Sequence, residues 1–128
     1  WLAASEAHDL DRIFLVAPSS TPERLALTVA ASRGFVYAAS TMGVTGARDA
    51  VSQAAPELVR RVKEISDIPV GVGLGVRSRA QAAEIAHFAD GVIVGSALVS
   101  ALTDDGVPAV RTLAEELAVG VREKVPTT

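Results

Sequence analysis

The residues best suited to chemistry form two glycine turns. The first is Gly95-Ser96, at the end of the apolar run Gly91-Val92-Ile93-Val94 and at the start of Ala97 to Leu102. A short strand that turns through glycine into a helix leaves backbone N–H groups without intrahelical acceptors, and the helix dipole adds positive potential at the same end. That arrangement suits an anion, above all a phosphate. Gly95 lets backbone approach a ligand closely, and Ser96 is expected to cap the helix and to offer a hydroxyl beside those amides. One strand upstream, Gly71-Val72-Gly73-Leu74-Gly75-Val76 supplies a second glycine turn. Taken singly, such a turn is more often a plain tight connection; two in succession, followed by a short helix, favour a phosphate cradle.

These turns need strands to present them. Arg12 to Ala17 is a continuous apolar run that predicts a strand buried on both faces. Thr21-Pro22 predicts a helix start, with a hydroxyl cap and proline at the first helical position, and Leu25 and Val29 on its inner side. Phe35 to Ser40 predicts the second strand. Thr41 to Gln53, with Gly43-Val44-Thr45-Gly46 inside it, lacks periodicity and reads as a long flexible loop. A helix from about Pro56 places Leu58, Val62 and Ile65 on one face, Ile68 to Gly73 is the third strand, and Ser78-Arg79-Ala80-Gln81 is a capping-box start. Asp90-Gly91 turns into the fourth strand. Thr103-Asp104-Asp105-Gly106 then separates a short apolar helix from a last one carrying Val110, Leu113, Leu117 and Val121 inward.

Strand and helix therefore alternate four times with short connections, which specifies parallel strands and right-handed crossovers. Four βα units are about half of the roughly 250 residues of a complete barrel. An open doubly wound sheet has a similar count, and the consecutive glycine turns with an extra short helix favour the barrel. The fold class expected is α/β, the second half of a (βα)8 TIM barrel with parallel strands. The chain starts at Trp1 within a helix-like segment, so residues 1–128 are expected to form a single partial domain whose N-terminal half is absent.

Composition narrows the function classes. Of 128 residues, 49% are apolar and 21% charged, with a formal net charge of −3, a balance expected of a globular chain and not of a nucleic-acid-binding or polybasic membrane surface. There is no cysteine, hence no thiolate chemistry, and the two histidines, His8 and His87, lie far apart on helix-like segments away from the strand tops. No apolar run reaches the roughly 18 residues of a membrane span, and no signal peptide is visible. A cytoplasmic location is expected, with no metal, nucleic-acid or membrane partner.

In a parallel barrel the active face lies at the C-terminal ends of the strands. The segments there, Ala17 to Ser20, Ser40 to Gly46, Gly73 to Val76 and Gly95-Ser96, hold no Asp, Glu, Lys or His. The carboxylates precede strands (Asp9, Asp11, Asp67, Asp90) or lie on helices. This stretch thus offers an anion cradle and a pocket wall without a general acid or base of matched pKa. Tyr37 is the one titratable candidate facing the site.

At this point a family resemblance emerges. Phe35-Val36-Tyr37-Ala38-Ala39-Ser40-Thr41-Met42-Gly43-Val44-Thr45-Gly46 resembles the sixth strand and following loop of the tryptophan synthase alpha chain family. Val70 to Val76 is similar to its seventh strand end, and Gly91 to Val99 to its eighth strand and phosphate helix. The resemblance spans essentially the whole chain as strands five to eight. It implies a carbon–carbon lyase of tryptophan biosynthesis that cleaves indole-3-glycerol phosphate to indole and glyceraldehyde 3-phosphate. It also implies a cytoplasmic heterotetramer with a beta chain that receives the indole. No cofactor is implied in this chain; pyridoxal phosphate is expected in the beta chain. The family's catalytic glutamate and aspartate belong to the first half of the barrel, so an isolated fragment is expected to be inactive. By the resemblance, Gly46, Gly73, Gly75, Gly95 and Ser96 hold the phosphate, Thr45 belongs to the closing loop, Leu74 and Leu15 line the indole pocket, and Tyr37 is an auxiliary catalytic group. Thr41, Met42 and Leu74 depart from the residues usual at those positions. Alternatives are another phosphate-binding TIM-barrel enzyme, such as a phosphoribosyl isomerase, or a non-catalytic phosphate-binding half-barrel that closes its sheet by dimerising. The isomerase reading would call for an aspartate at a strand end, where Ala17, Ser40, Gly73 and Gly95 stand.

Overall fold

A computed structural model describes residues 1–40, 53–73 and 75–123. Helix α1 (Leu2–Ala7) precedes strand β1 (Leu15–Val16), and three strand–helix alternations follow: α2 (Pro22–Ala31), β2 (Val36–Ala39), α3 (Ala54–Ile65), β3 (Val70–Gly73), α4 (Arg79–Ala86), β4 (Gly91–Ile93) and α5 (Ser96–Arg122). The four strands form one parallel sheet in the order β1-β2-β3-β4. Each neighbour in sequence is thus a neighbour in space, the winding that repeated right-handed βα units produce.

The helix starts follow the local chemistry anticipated from sequence. The Thr21 hydroxyl accepts from the Arg24 N–H at 3.3 Å with Pro22 at the first helical position, and the Ser78 hydroxyl accepts from the Gln81 N–H at 3.2 Å. Gln81 departs from the reciprocal capping box: its side-chain oxygen accepts from the Arg77 N–H at 2.9 Å, one residue before the cap.

The sheet has two unlike faces. Val16, Val36, Ala38, Val70 and Val72 point to the helical layer and are at most 1% exposed, against Leu25 and Val29 of α2, Leu58, Val59 and Val62 of α3, and Ile85 of α4. In register on the opposite face stand Leu15, Tyr37, Gly71 and Gly91, followed by Ala39, Gly73 and Ile93. Of the three glycines on this face, Gly71 and Gly73 leave hollows that Phe35, Tyr37 and Ile93 fill from the sides.

Three sequence expectations are corrected. Arg12 to Ala17 is not a strand buried on both faces: only Leu15 and Val16 are strand, and exposure alternates, with Ile13 at 42%, Leu15 at 61% and Val16 at 1%. The reason is position, since β1 is an edge strand paired only with β2 among the described residues. Ile65 and Val121 do not turn inward with the rest of their stripes; each lies in the last turn of its helix, beyond the reach of the core, and is exposed. The break at Thr103 to Gly106 narrows to a single joint: helical geometry continues to either side of Gly106, whose φ of 78° interrupts α5 two residues before Pro108. Thr45, Gly46 and the rest of the loop 41–52 lie outside the described residues, as does Leu74.

Candidate functional site

The C-terminal ends of the strands are assembled by backbone. The Ser40 N–H donates to the Gly73 carbonyl at 3.1 Å, tying the ends of β2 and β3 together, and Ser40 is buried. The turn after β1 is closed by Ser20, whose N–H and hydroxyl both bond to Ala17, and is held from α3 by the Arg61 guanidinium donating to the Ser20 carbonyl at 2.7 Å. After β3, Gly75 takes φ +75°, a left-handed conformation that side chains resist, so glycine there is demanded by the backbone.

The predicted residues separate into two groups. Leu15, Tyr37 and Gly73 share the inner sheet face. Leu15 is the register partner of Tyr37, and the Tyr37 ring lies over Gly73: a Cβ on Gly73 would stand 2.6 Å from the Tyr37 hydroxyl and 3.0 Å from Ile93 Cβ. Gly73 is therefore required first by the packing of its neighbours. Gly75 and Ser96 form the second group, on the wall of an open depression of about 470 Å³ between the β3–α4 turn and α5, which Val76, Ala97, Ser100, Ala101 and Leu113 complete on its apolar side. Gly95 adjoins it through Ser96.

The start of α5 corrects one expectation in detail. Ser96 is the first helical residue and Gly95 the N-cap, with no side chain capping the end. The Leu98 and Val99 N–H groups both return to the Gly95 carbonyl, at 3.0 and 3.2 Å. Helix geometry leaves the Ser96 and Ala97 N–H groups without intrahelical acceptors, so the helix keeps its donors for another acceptor. Nor does protein packing exclude a side chain at Gly95: a Cβ there would meet no atom within 4 Å, and its φ of −126° is open to any residue.

Sequence reasoning missed Arg77. It lines the same depression, two residues after Gly75, and is charged, unlike the other described residues on its wall. The available signal was a cation directly after a strand-end glycine turn; a search confined to Asp, Glu, Lys and His passes over it.

One group of ion pairs stands at the opposite rim of the sheet. Asp90 accepts from the Val70 N–H at 2.9 Å and from Lys63 at 2.8 Å, and these two donors hold its carboxyl below the usual carboxylate range, Lys63 first. Arg33 bridges Asp9 and Asp11 at 2.6 and 2.7 Å, which raises its own pKa. Arg12, largely buried, donates to the Ala31 carbonyl at 2.9 Å and to the buried Ser5 hydroxyl at 3.1 Å, stitching α1, β1 and α2 together. The carboxylates that precede strands β1 and β4 are thus structural. None of the groups whose pKa is displaced lines the depression. Among the described residues no cluster of three His, Asp or Glu could hold a metal, and no helix is long and apolar enough to cross a membrane. What the depression offers chemically is a set of backbone N–H donors suited to an anion, beside an apolar wall.

Comparison with known proteins bears on the family and the fold. The family model described as tryptophan synthase alpha chain matches residues 2–125. The tryptophan synthase alpha chain of Mycobacterium avium (strain 104) is 82% identical over 124 residues, covering 97% of this chain and 46% of that relative. A crystal structure of Mycobacterium tuberculosis tryptophan synthase superposes with a TM-score of 0.86 at 80% identity, covering 97% of this chain and 47% of the other. A mutant tryptophan synthase alpha-subunit from the hyperthermophile Pyrococcus furiosus still superposes at 0.74 with 32% identity, covering 91% and 46%. The chain spans about half the length of the curated relatives it matches. Its four βα units are the second half of a (βα)8 barrel.

Proposed function

The chain belongs to the tryptophan synthase alpha chain family, and from that premise we propose that the whole protein is a carbon–carbon lyase acting on indole-3-glycerol phosphate. Cleavage of the bond between the indole ring and the glycerol chain yields indole and glyceraldehyde 3-phosphate. The observation that carries this reading is the family match across residues 2–125.

The portion in hand supplies binding. The phosphate is held at the start of α5 by the N–H groups of Ser96 and Ala97 and at the β3–α4 turn around Gly75, with Gly73 and Gly95 keeping the backbone accessible. Tyr37 lies against the substrate as an auxiliary group, and Leu15 and Leu74 contribute to the indole pocket. Thr45 and Gly46 belong to a loop that closes over the intermediate and excludes water. The proton transfers fall to a glutamate and an aspartate of the barrel's first half. The depression, which has no Asp or Glu among its described lining residues, supports that division of labour.

On this reading residues 1–128 are a single partial domain, inactive by themselves. The whole protein works in the cytoplasm, in a heterotetramer with a pyridoxal-phosphate-containing beta chain that consumes the indole. The test is an indole-release assay on the full-length protein with its beta chain. Cleavage of indole-3-glycerol phosphate, accelerated by the beta chain and absent from residues 1–128 alone, is expected. Absence of cleavage by the complete complex would overturn the proposal.

A further inference from the structure

We propose that Arg61 is a positioning residue for substrate binding: from α3 it holds the β1–α2 turn, and with it the neighbouring Leu15, at the mouth of the barrel. The inference rests on the reading of the strand ends as the substrate-binding face of a lyase acting on indole-3-glycerol phosphate.

The turn of residues 17–20 lies at the C-terminal end of β1, the end at which a parallel barrel does its chemistry. Its own bonds make it compact without anchoring it. The Ser20 N–H donates to the Ala17 carbonyl at 2.9 Å and the Ala17 N–H to the Ser20 hydroxyl at 3.0 Å, both within the turn. Nor does the sheet hold it firmly: β1 is a strand of two residues at the edge of the described sheet, and Pro18 and Ser19 are exposed. A backbone segment with so few ties moves readily unless a partner outside it takes up its carbonyls.

Arg61 is such a partner. Its guanidinium donates to the Ser20 carbonyl at 2.7 Å and, at a longer 3.4 Å, to the Pro18 carbonyl, across 41 and 43 residues of sequence. The planar fork lets one side chain serve two carbonyls of one turn, and a charge-assisted bond is stronger than a neutral one. Helix direction explains the reach. In a βα unit α3 runs back from the strand ends, and a helical side chain leans towards its own N-terminus, here towards the rim. Arg61 is half-buried, whereas the adjacent Arg60 stays on the exposed helix surface, paired with Glu57 and Glu64. Leu15 stands two residues before Ala17, on the inner sheet face, in register with Tyr37 and 61% exposed. A loosened turn lets Leu15 drift, which weakens contact with the indole ring in ground state and transition state alike. Such a uniform loss raises KM and spares kcat.

The experiment uses the full-length protein carrying this sequence with its beta chain, assayed for indole release over a range of indole-3-glycerol phosphate concentrations. Arg61→Ala is expected to raise KM about fivefold with kcat within about twofold of wild type. Hydrogen–deuterium exchange in residues 17–20 should rise, while that of β3 stays the same. Arg61→Lys, which keeps the charge and serves one carbonyl at a time, is expected to fall between Arg61→Ala and wild type. Arg60→Ala, on the same helix, is expected to leave KM unchanged. A folded Arg61→Ala with the KM of wild type, or a raised KM without faster exchange in the turn, overturns the inference while the lyase reading stands. A lower melting temperature with KM intact marks a merely structural residue and overturns it as well. An equal rise of KM in Arg60→Ala assigns the effect to α3 at large and does the same. A wild-type complex that releases no indole overturns the lyase reading and this inference with it. Should Arg61→Ala fail to fold, Arg61→Lys decides: KM and exchange at wild-type levels overturn the inference, and intermediate values uphold it.

Discussion

Substituting Gly73 by alanine tests the inner sheet face directly. The added Cβ would stand 2.6 Å from the Tyr37 hydroxyl, 3.0 Å from the carbon that bears it, and 3.0 Å from Ile93 Cβ. The first contact lies at the far end of a side chain and can be relieved by tilting the ring; the Ile93 contact is close to backbone and yields less. Overpacking of this kind costs about 1–3 kcal/mol. Gly73 lies in a strand with unremarkable φ, so alanine returns up to about 1 kcal/mol through reduced chain entropy. A net loss of about 1.5 kcal/mol is expected. With an m-value near 3 kcal/mol/M, the urea midpoint of the full-length protein falls by about 0.5 M. Because the ring is what moves, Tyr37→Phe in the Gly73→Ala background should restore part of the loss, with a coupling of about 0.5–1.5 kcal/mol. Substrate affinity should fall with the displaced ring. Additive effects of the two substitutions, or a Gly73→Ala protein as stable as wild type, would refute the packing argument.

Two further predictions concern stability. Asp90 is partly exposed, so removing it costs about 1 kcal/mol at neutral pH, mostly the lost acceptor of the Val70 N–H. Its carboxyl pKa is lower folded than unfolded, so this stabilisation is full above the unfolded value of about 3.9 and is lost as pH falls through the folded one. Urea midpoints of wild type and Asp90→Ala should therefore differ at pH 7 and converge towards pH 3. Gly120→Ala sets helix propensity against contact: alanine gains about 1 kcal/mol inside a helix, but its Cβ would stand 2.5 Å from the Arg79 carbonyl oxygen, a backbone atom of α4. Contact wins, and the thermal midpoint falls by a few degrees; a rise would show that α4 and α5 separate easily.

Much of this architecture was legible in the chain itself, and the exceptions share a cause. Small apolar residues at alternate positions, Val36 and Ala38 in one strand and Val70 and Val72 in the next, and hydroxyl caps at Thr21 and Ser78, are local signals, and strands and helices formed where they pointed. Leu15 misled because burial of an edge strand depends on what lies beside it, which no window of residues records. Ser96 resembles an N-cap by type; it is displaced because the chain already turns at Gly95, and a residue with helical dihedrals cannot also cap. Asp90 and Gly120 owe their importance to partners brought close only by folding, Val70 and Arg79. The candidate site was half legible: Gly75 and Ser96 do share a wall, whereas Arg77 needed the depression to be seen.

The ion pairs at the entry rim have a practical corollary. Ion pairs gather where the chain enters the sheet, at Asp9, Asp11, Arg33, Lys63 and Asp90. Acid or concentrated electrolyte will weaken these pairs at the floor of the molecule. Substitutions on that floor can thus retune durability with little effect on what the mouth selects, and the converse holds for the lip.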